Sequence, residues 1–162
     1  MATWRWTLDD DASDLVGPTP SLGNKRLLAA AENAGSILLT VPLDGHSTLW
    51  FWSAAEEPGR NVWAVGPFDV QLWVLVASAG VTVGLTSLFR CDSAGNPIEL
   101  YASGMPDLPC GTTGAKRWQG TTIAPAIQPQ AGDRVRLGFT FTHTSPSPVQ
   151  VTIGFGAPAR EY

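Results

Sequence analysis

The chain is 162 residues long, 44% hydrophobic and only 15% charged, with 10 basic against 14 acidic residues and a formal net charge of -4. A charged fraction well below the usual ~25% excludes a disordered tail or highly charged adaptor, and the length predicts one domain around one core. With the basic residues spread thinly, the field opposes a phosphate backbone, which argues against nucleic acid as a partner.

The chain opens Met-Ala-Thr-Trp-Arg-Trp-Thr-Leu and runs into Asp9, Asp10 and Asp11. A basic start followed by an apolar stretch is not there, so the expectation is synthesis in the cytoplasm without a signal peptide. Residues 1–22 read as an N-terminal arm bearing Trp4 and Trp6 ahead of a solvated acidic turn of Asp9, Asp10, Asp11 and Asp14. That cluster lacks the alternating spacing, central glycine and terminal glutamate of a calcium loop. Lys25 to Asn33 has the composition of a short helix closed by Gly35, while Lys25 to Ala29 serves equally well as a strand.

Further on, 17 glycines and 13 prolines punctuate the chain evenly and leave short apolar runs between them, the rhythm of an all-β protein. The strands expected are Ser36 to Val41, His46 to Trp52, Phe68 to Ser78, Val81 to Arg90, Ile98 to Ala102, Arg117 to Ile123, Arg134 to His143 and Val149 to Phe155. Val70, Leu72, Val74 and Val76 alternate, then Ala79-Gly80 precedes a second alternation of Val81, Val83 and Leu85. The phase shifts near Gly84 or Ser87 before Leu88-Phe89, which predicts a bulge. Cys91 to Pro97 is rich in turn formers and predicts a hairpin into an edge strand begun by Pro97. Val135, Leu137, Phe139 and Phe141, then Val149, Val151, Ile153 and Phe155, recur at period two, and Thr144 to Pro148 is expected to join these strands as a hairpin. Helix–strand alternation is missing, which leaves a sandwich or barrel: an antiparallel β-sandwich of jelly-roll type, eight to ten strands, with at most one short helix. It fills one domain over residues 1–162, with 156–162 as a C-terminal tail. The longest apolar run, Leu72 to Ala77, falls far short of the ~20 residues of a membrane helix, so no membrane partner is expected.

No motif announces a reaction. His46 and His143 lie far apart, and Cys91 and Cys110 lack a metal-ligand spacing, so no metal, no cofactor and two reduced thiols are expected. The carboxylates Glu56, Glu57, Asp69, Glu99 and Asp133 sit mostly beside Gly or Pro in expected loops, with nothing to pair them for glycoside hydrolysis. A G-x-S-x-G elbow and a phosphate loop are both missing, and no catalytic residue is nominated.

Seven tryptophans against two tyrosines require an account. Trp50 and Trp52 share one strand face with Phe51 opposite, covering core, a subunit contact or a sugar platform. Trp63 and Trp118 stand in polar, glycine-flanked contexts and read as exposed aromatics.

Gly66-Pro-Phe-Asp-Val-Gln-Leu-Trp-Val, Val81 to Asn96 with its Asp-Ser-Ala-Gly hairpin, and Gly132-Asp-Arg-Val-Arg-Leu-Gly-Phe-Thr-Phe-Thr together resemble the β-sandwich virion proteins of tailed bacteriophages, nearest to jelly-roll capsid decoration (cement) proteins. The resemblance covers about half the chain and lies in strand grammar. It implies a non-enzymatic protein on the outer surface of a phage head, a homotrimer over a three-fold axis that ties neighbouring major capsid proteins together. The partner-interface residues nominated are Trp4, Trp6, Trp63, Trp118, Phe155 and Tyr162. The alternative is a carbohydrate-binding or receptor-binding module of a phage tail or head fibre, with Trp63, Trp118 or the Trp50 strand stacking on a glycan.

Overall fold

The computed structural model describes residues 6–18, 21–29, 35–42, 47–54, 67–77, 80–103, 105–111, 113–121 and 130–155, without the side chains of 6–10, 26–29, 67, 68, 76, 77, 121 and 155. Among these residues are eleven strands and no helix: β1 (Trp6–Ala12), β2 (Ser21–Ala29), β3 (Gly35–Val41), β4 (Ser47–Ser53), β5 (Pro67–Ala77), β6 (Val81–Cys91), β7 (Pro97–Ser103), β8 (Leu108–Pro109), β9 (Gly114–Thr121), β10 (Arg134–His143) and β11 (Val149–Phe155). They form a β-sandwich. One sheet has seven strands in the order β1-β2-β4-β10-β6-β7, with β8 alongside β6, and the other has four in the order β3-β11-β5-β9. Every pairing is antiparallel except β2 with β4.

The core follows from alternation. Leu49 and Phe51 from β4, Val81, Val83 and Leu85 from β6 and Val135, Leu137, Phe139 and Phe141 from β10 meet Ile37, Leu39 and Val41 from β3, Leu72 and Val74 from β5 and Val149, Val151 and Ile153 from β11. Phe139 is the aromatic centre: Phe51 meets it edge-on at 6.1 Å and Trp118, tilted by 43°, at 5.6 Å. Burying a side chain of this size stabilises by ~1.5–3 kcal/mol, so these strands carry most of the fold's hydrophobic stabilisation.

Several sequence expectations are corrected here. Of the two readings left open for Lys25 to Ala29, the strand is the one found: Ser21 to Ala29 form β2, because β1 and β4 flank it and use its backbone hydrogen bonds on both sides. The hairpin expected between Arg134–His143 and Val149–Phe155 does not form: β10 and β11 lie in different sheets, as do β5 and β6. Period-two alternation identifies the face a strand buries but not its neighbour, and two strands facing each other across a core satisfy it as well as two side by side. Asp9, Asp10 and Asp11 belong to β1 instead of a turn, and the segment expected as an arm supplies β1 and the start of β2.

Other expectations stand. The hairpin at Cys91–Pro97 joins β6 to β7. Asp92 Oδ1 accepts from the amides of Ala94 and Asn96, both at 2.9 Å, and Gly95 takes φ +87°, as the turn requires. The bulge falls on Thr86, since Gly138 pairs Ser87 while Phe139 pairs Leu85. Beyond it Phe89 turns to the outer face of the seven-stranded sheet, and that re-aiming builds the cluster described next.

Candidate functional site

Trp50 and Trp52 point outward from β4, opposite Leu49 and Phe51, and face Gly138 and Arg136 of β10. They are nevertheless buried, at 6% and 2% exposed. A strap formed by Ser13 to Pro18 runs over them. Asn24 holds both ends: its carbonyl accepts from the Ser13 amide at 3.0 Å and its Oδ1 from the Gly17 amide at 2.5 Å. Asp14 receives two hydrogen bonds from the Arg134 guanidinium, at 2.9 and 2.7 Å. Trp50 Nε1 donates to the Pro18 carbonyl at 2.9 Å. Leu15 packs into the cluster of Trp50, Trp52, Phe89 and Cys91.

Glycine makes this closure work. A β-carbon on Gly138 would fall 2.5 Å from Trp50 Cζ3, and one on Gly17 would collide with Cδ1 and Cγ, so the six-membered and five-membered rings of the indole each lie against a bare backbone. Arg136 completes the cluster, its guanidinium carbon 5.0 Å from the Trp50 ring centroid, 5.5 Å from Trp52 and 4.7 Å from Phe89. Burial holds Arg136 below its usual pKa. Three ring faces supply the counter-charge that a carboxylate would supply elsewhere, each worth up to ~2 kcal/mol when desolvated.

Of the five carboxylates weighed for glycoside hydrolysis, Asp69, Glu99 and Asp133 are committed to ion pairs. Arg90 Nε donates to Asp133 at 2.6 Å and its Nη1 lies 3.6 Å from Glu99, so one guanidinium brings these two together. Asp133 also accepts from the Gln130 amide at 2.5 Å, which organises the turn before β10. Asp69 of β5 pairs with Arg117 of β9, whose hydrogen bonds hold its carboxyl below the usual range. Glu56, Glu57 and His46 lie outside the described residues. Among the described residues no group of three or more His, Cys, Asp or Glu is placed to hold a metal ion. Cys91 and Cys110 are both buried free thiols, and burial pushes each up to about 11. Cys91 belongs to the covered outer cluster and Cys110 to the central core.

No family model matches the chain, and comparison with curated proteins and with solved structures finds no match. Function therefore rests on this chain's own residues.

Of the nominated interface residues, Trp118 is corrected. It is 2% exposed, faces the core from β9 and donates through Nε1 to the Pro106 carbonyl at 2.9 Å. Trp6 and Phe155 stand in β1 and β11 with side chains outside the described set, and Trp4, Trp63 and Tyr162 lie outside the described residues. With Trp50 and Trp118 buried, the glycan platform expected on them is not there.

Among the described residues the exposed large apolar side chains are elsewhere: Val16 at 81% on the strap, Leu38 at 63% on β3 and Ile98 at 52% on β7. The strand β3 is singular among the sheet edges. Its sequence Gly-Ser-Ile-Leu-Leu-Thr-Val has no charge and no proline, and among the described residues it pairs on one side only, with β11. The other edges are blunted: β1 carries three aspartates, β7 begins with Pro97 and pairs through two register shifts, and β9 carries Lys116 and Arg117. Sequence reading placed β3 correctly but had no means of ranking it as an edge, since edge position is a property of sheet order.

Proposed function

We propose that the chain is a non-enzymatic decoration protein of a tailed-phage head, binding the outside of the capsid and associating with itself, as a trimer, and with the major capsid protein. The observation that carries the reading is the uncharged β3 edge with Leu38 standing out from it. Soluble chains protect an edge strand with charge, proline or a bulge, and an unprotected one is a template for strand addition by a neighbour. Val16 and Ile98 add apolar contacts away from that edge, so one copy can engage neighbours on several sides, and many modest contacts on a symmetric shell sum by multivalency.

The strand order also supports a jelly-roll wrapping. With β1, β2 and β8 set aside, β3-β11-β5-β9 and β4-β10-β6-β7 correspond position by position, and the links β3 to β4, β5 to β6 and β10 to β11 each cross between the sheets. The β1–β2 pair then extends one sheet and leads into the strap.

The reading is tested by the absolute mass in solution from light scattering after gel filtration, followed by co-sedimentation with undecorated capsid shells of the phage that encodes the chain. The expected results are a mass of three times 17.2 kDa, saturable binding to shells, and loss of both in Leu38→Lys with an unchanged melting temperature. A chain that stays monomeric at every concentration and does not sediment with shells would overturn it.

A further inference from the structure

The outer face of the four-stranded sheet carries a second arrangement, which needs no virion. Asp69, Gln71 and Trp73 follow at period two on β5, on the face opposite the buried Leu72 and Val74. Across the sheet, Trp73 stands in one row with Ala115 of β9, Gly154 of β11 and Ser36 of β3. All of its row neighbours are small. Trp73 is half-buried, and it is not among the described residues packed against either hydrophobic cluster. Gly154 is buried although it faces outward, which fits an indole lying across it. Among the described residues, the row on either side of Trp73 therefore carries only alanine, glycine and serine.

Next to this ring stands a polar grid. Gln71 is directly opposite Arg117, and Asp69 directly opposite Gln119. Arg117 Nε donates to Asp69 at 2.9 and 3.1 Å. The Gln119 amide, with its oxygen turned to the guanidinium, accepts at 3.3 Å from Nε and 3.0 Å from Nη2. Asp69, Gln71, Arg117 and Gln119 thus form planar donors and acceptors on one level, all exposed, with charges that cancel within the grid. On the other side of Trp73 the same face continues through Thr152 and Gln150 of β11.

We infer that this face binds a neutral oligosaccharide, one ring stacked on Trp73 and the hydroxyls of the adjoining ring held by Gln71, Asp69, Arg117 and Gln119. The chemistry selects the class of ligand. A flat indole matches the C–H face of a pyranose, and side-chain amide, carboxylate and guanidinium edges offer the paired donors and acceptors that vicinal hydroxyls require. Internal pairing of Asp69 with Arg117 leaves no uncompensated charge, so the complement is an uncharged polyol and not a phosphate, a carboxylate or a cation. Trp73 is not singled out in the sequence reading: on β5 it stands in the phase opposite Leu72 and Val74, in line with Asp69 and Gln71.

The probes are the hexaoses of α-1,4-glucose, β-1,4-glucose and β-1,4-N-acetylglucosamine, titrated to about 10 mM, the range of weak single-site binding. Binding is read by saturation-transfer NMR and tryptophan fluorescence. The expected result is saturable binding of at least one hexaose, weakened roughly tenfold or more in Trp73→Ala and several-fold in Gln71→Ala, as removal of a central aromatic anchor and of one rim contact does. Trp73→Leu keeps an apolar cover on Gly154 while removing the flat ring, so it answers the question if the alanine variant does not fold. Ile98→Lys, which alters a proposed capsid contact on β7 of the other sheet, is expected to bind the hexaose as the parent does, so the two readings fail separately. No saturable binding to any of the three, or binding retained in Trp73→Leu, would overturn the inference. A change of solution mass in Trp73→Leu without a change in sugar binding would do the same and mark the face as a protein contact.

Discussion

The two outer faces of the sandwich both carry tryptophan, and they are finished in opposite ways. On the seven-stranded sheet, Trp50 and Trp52 are roofed by the Ser13–Pro18 strap and penned in by Arg136, Phe89 and Leu15. On the four-stranded sheet, Trp73 has Ser36, Gly154 and Ala115 in its row and a polar grid beside it. The difference does not come from the strands, which alternate alike. It comes from the chain preceding β2, long enough to cross one face and tied down by Asn24, and from Gly138, whose missing side chain lets an indole lie flat on β10. A covered tryptophan is part of the fold, and a half-buried one outside both clusters is available to a ligand.

The comparison breaks most sharply under truncation. Trp50→Ala removes a ring that touches the strap, β10 and Arg136, and it is expected to cost ~3–5 kcal/mol in urea denaturation. Trp73→Ala leaves the described core clusters untouched and is expected to cost ~1 kcal/mol or less. Equal costs at the two positions would mean that the faces are not differently built.

Much of this architecture is legible in the chain. The strands Arg134–His143 and Val149–Phe155 are found at the residues expected, the Thr86 bulge lies beside one of the two residues named for it, and the two thiols are unpaired. What is not legible is partnership. The alternation in Val149 to Phe155 says that a face is buried and nothing about which sheet it joins. Leu38 looks like any apolar residue in a strand until sheet order places β3 at an edge. Trp118 illustrates the same point for the site: its polar, glycine-flanked context reads locally as exposed, whereas in the fold the ring faces the core and is 2% exposed. Asp14 and Arg134 are 120 residues apart, and their pairing is beyond any local signal.

Within the covered face, the comparison is sharpened at Arg136. A buried cation held by rings and not by a carboxylate gains less from its charge than from its stem and plane, because removing a guanidinium from water is costly. Arg136→Met, similar in volume and apolar, is therefore expected to stay within about 1 kcal/mol of the parent or to exceed it, while Arg136→Ala opens a gap between three rings and costs ~2–3 kcal/mol. Chemical denaturation of both variants separates a packing role from a charge role, and a large loss in Arg136→Met would establish the latter.

The smallest effect concerns the strap's ionic anchor and depends on pH. The Arg134 hydrogen bonds hold the Asp14 carboxyl below its ordinary value of 3.8. A carboxyl lowered in the folded state contributes stability that is fully present above the unfolded value and is lost as pH falls through the folded one. The anchor is therefore intact at neutral pH and released on acidification below about pH 4, the ordinary carboxylate range. Asp14 is largely exposed, so solvent screening keeps its share to about 1 kcal/mol or less. Melting temperatures of the parent and Asp14→Asn are expected to differ modestly at neutral pH and to converge in acid. The thiols localise the effect, because Cys91 lies under the strap cluster and Cys110 in the central core, both pushed up to about 11 by burial and so unreactive while covered. Loosening the strap through Asp14→Asn should speed modification of Cys91 by a thiol reagent at neutral pH and leave Cys110 unchanged. Equal acceleration of both would mean that the whole sandwich opens and that the strap is not a separate unit.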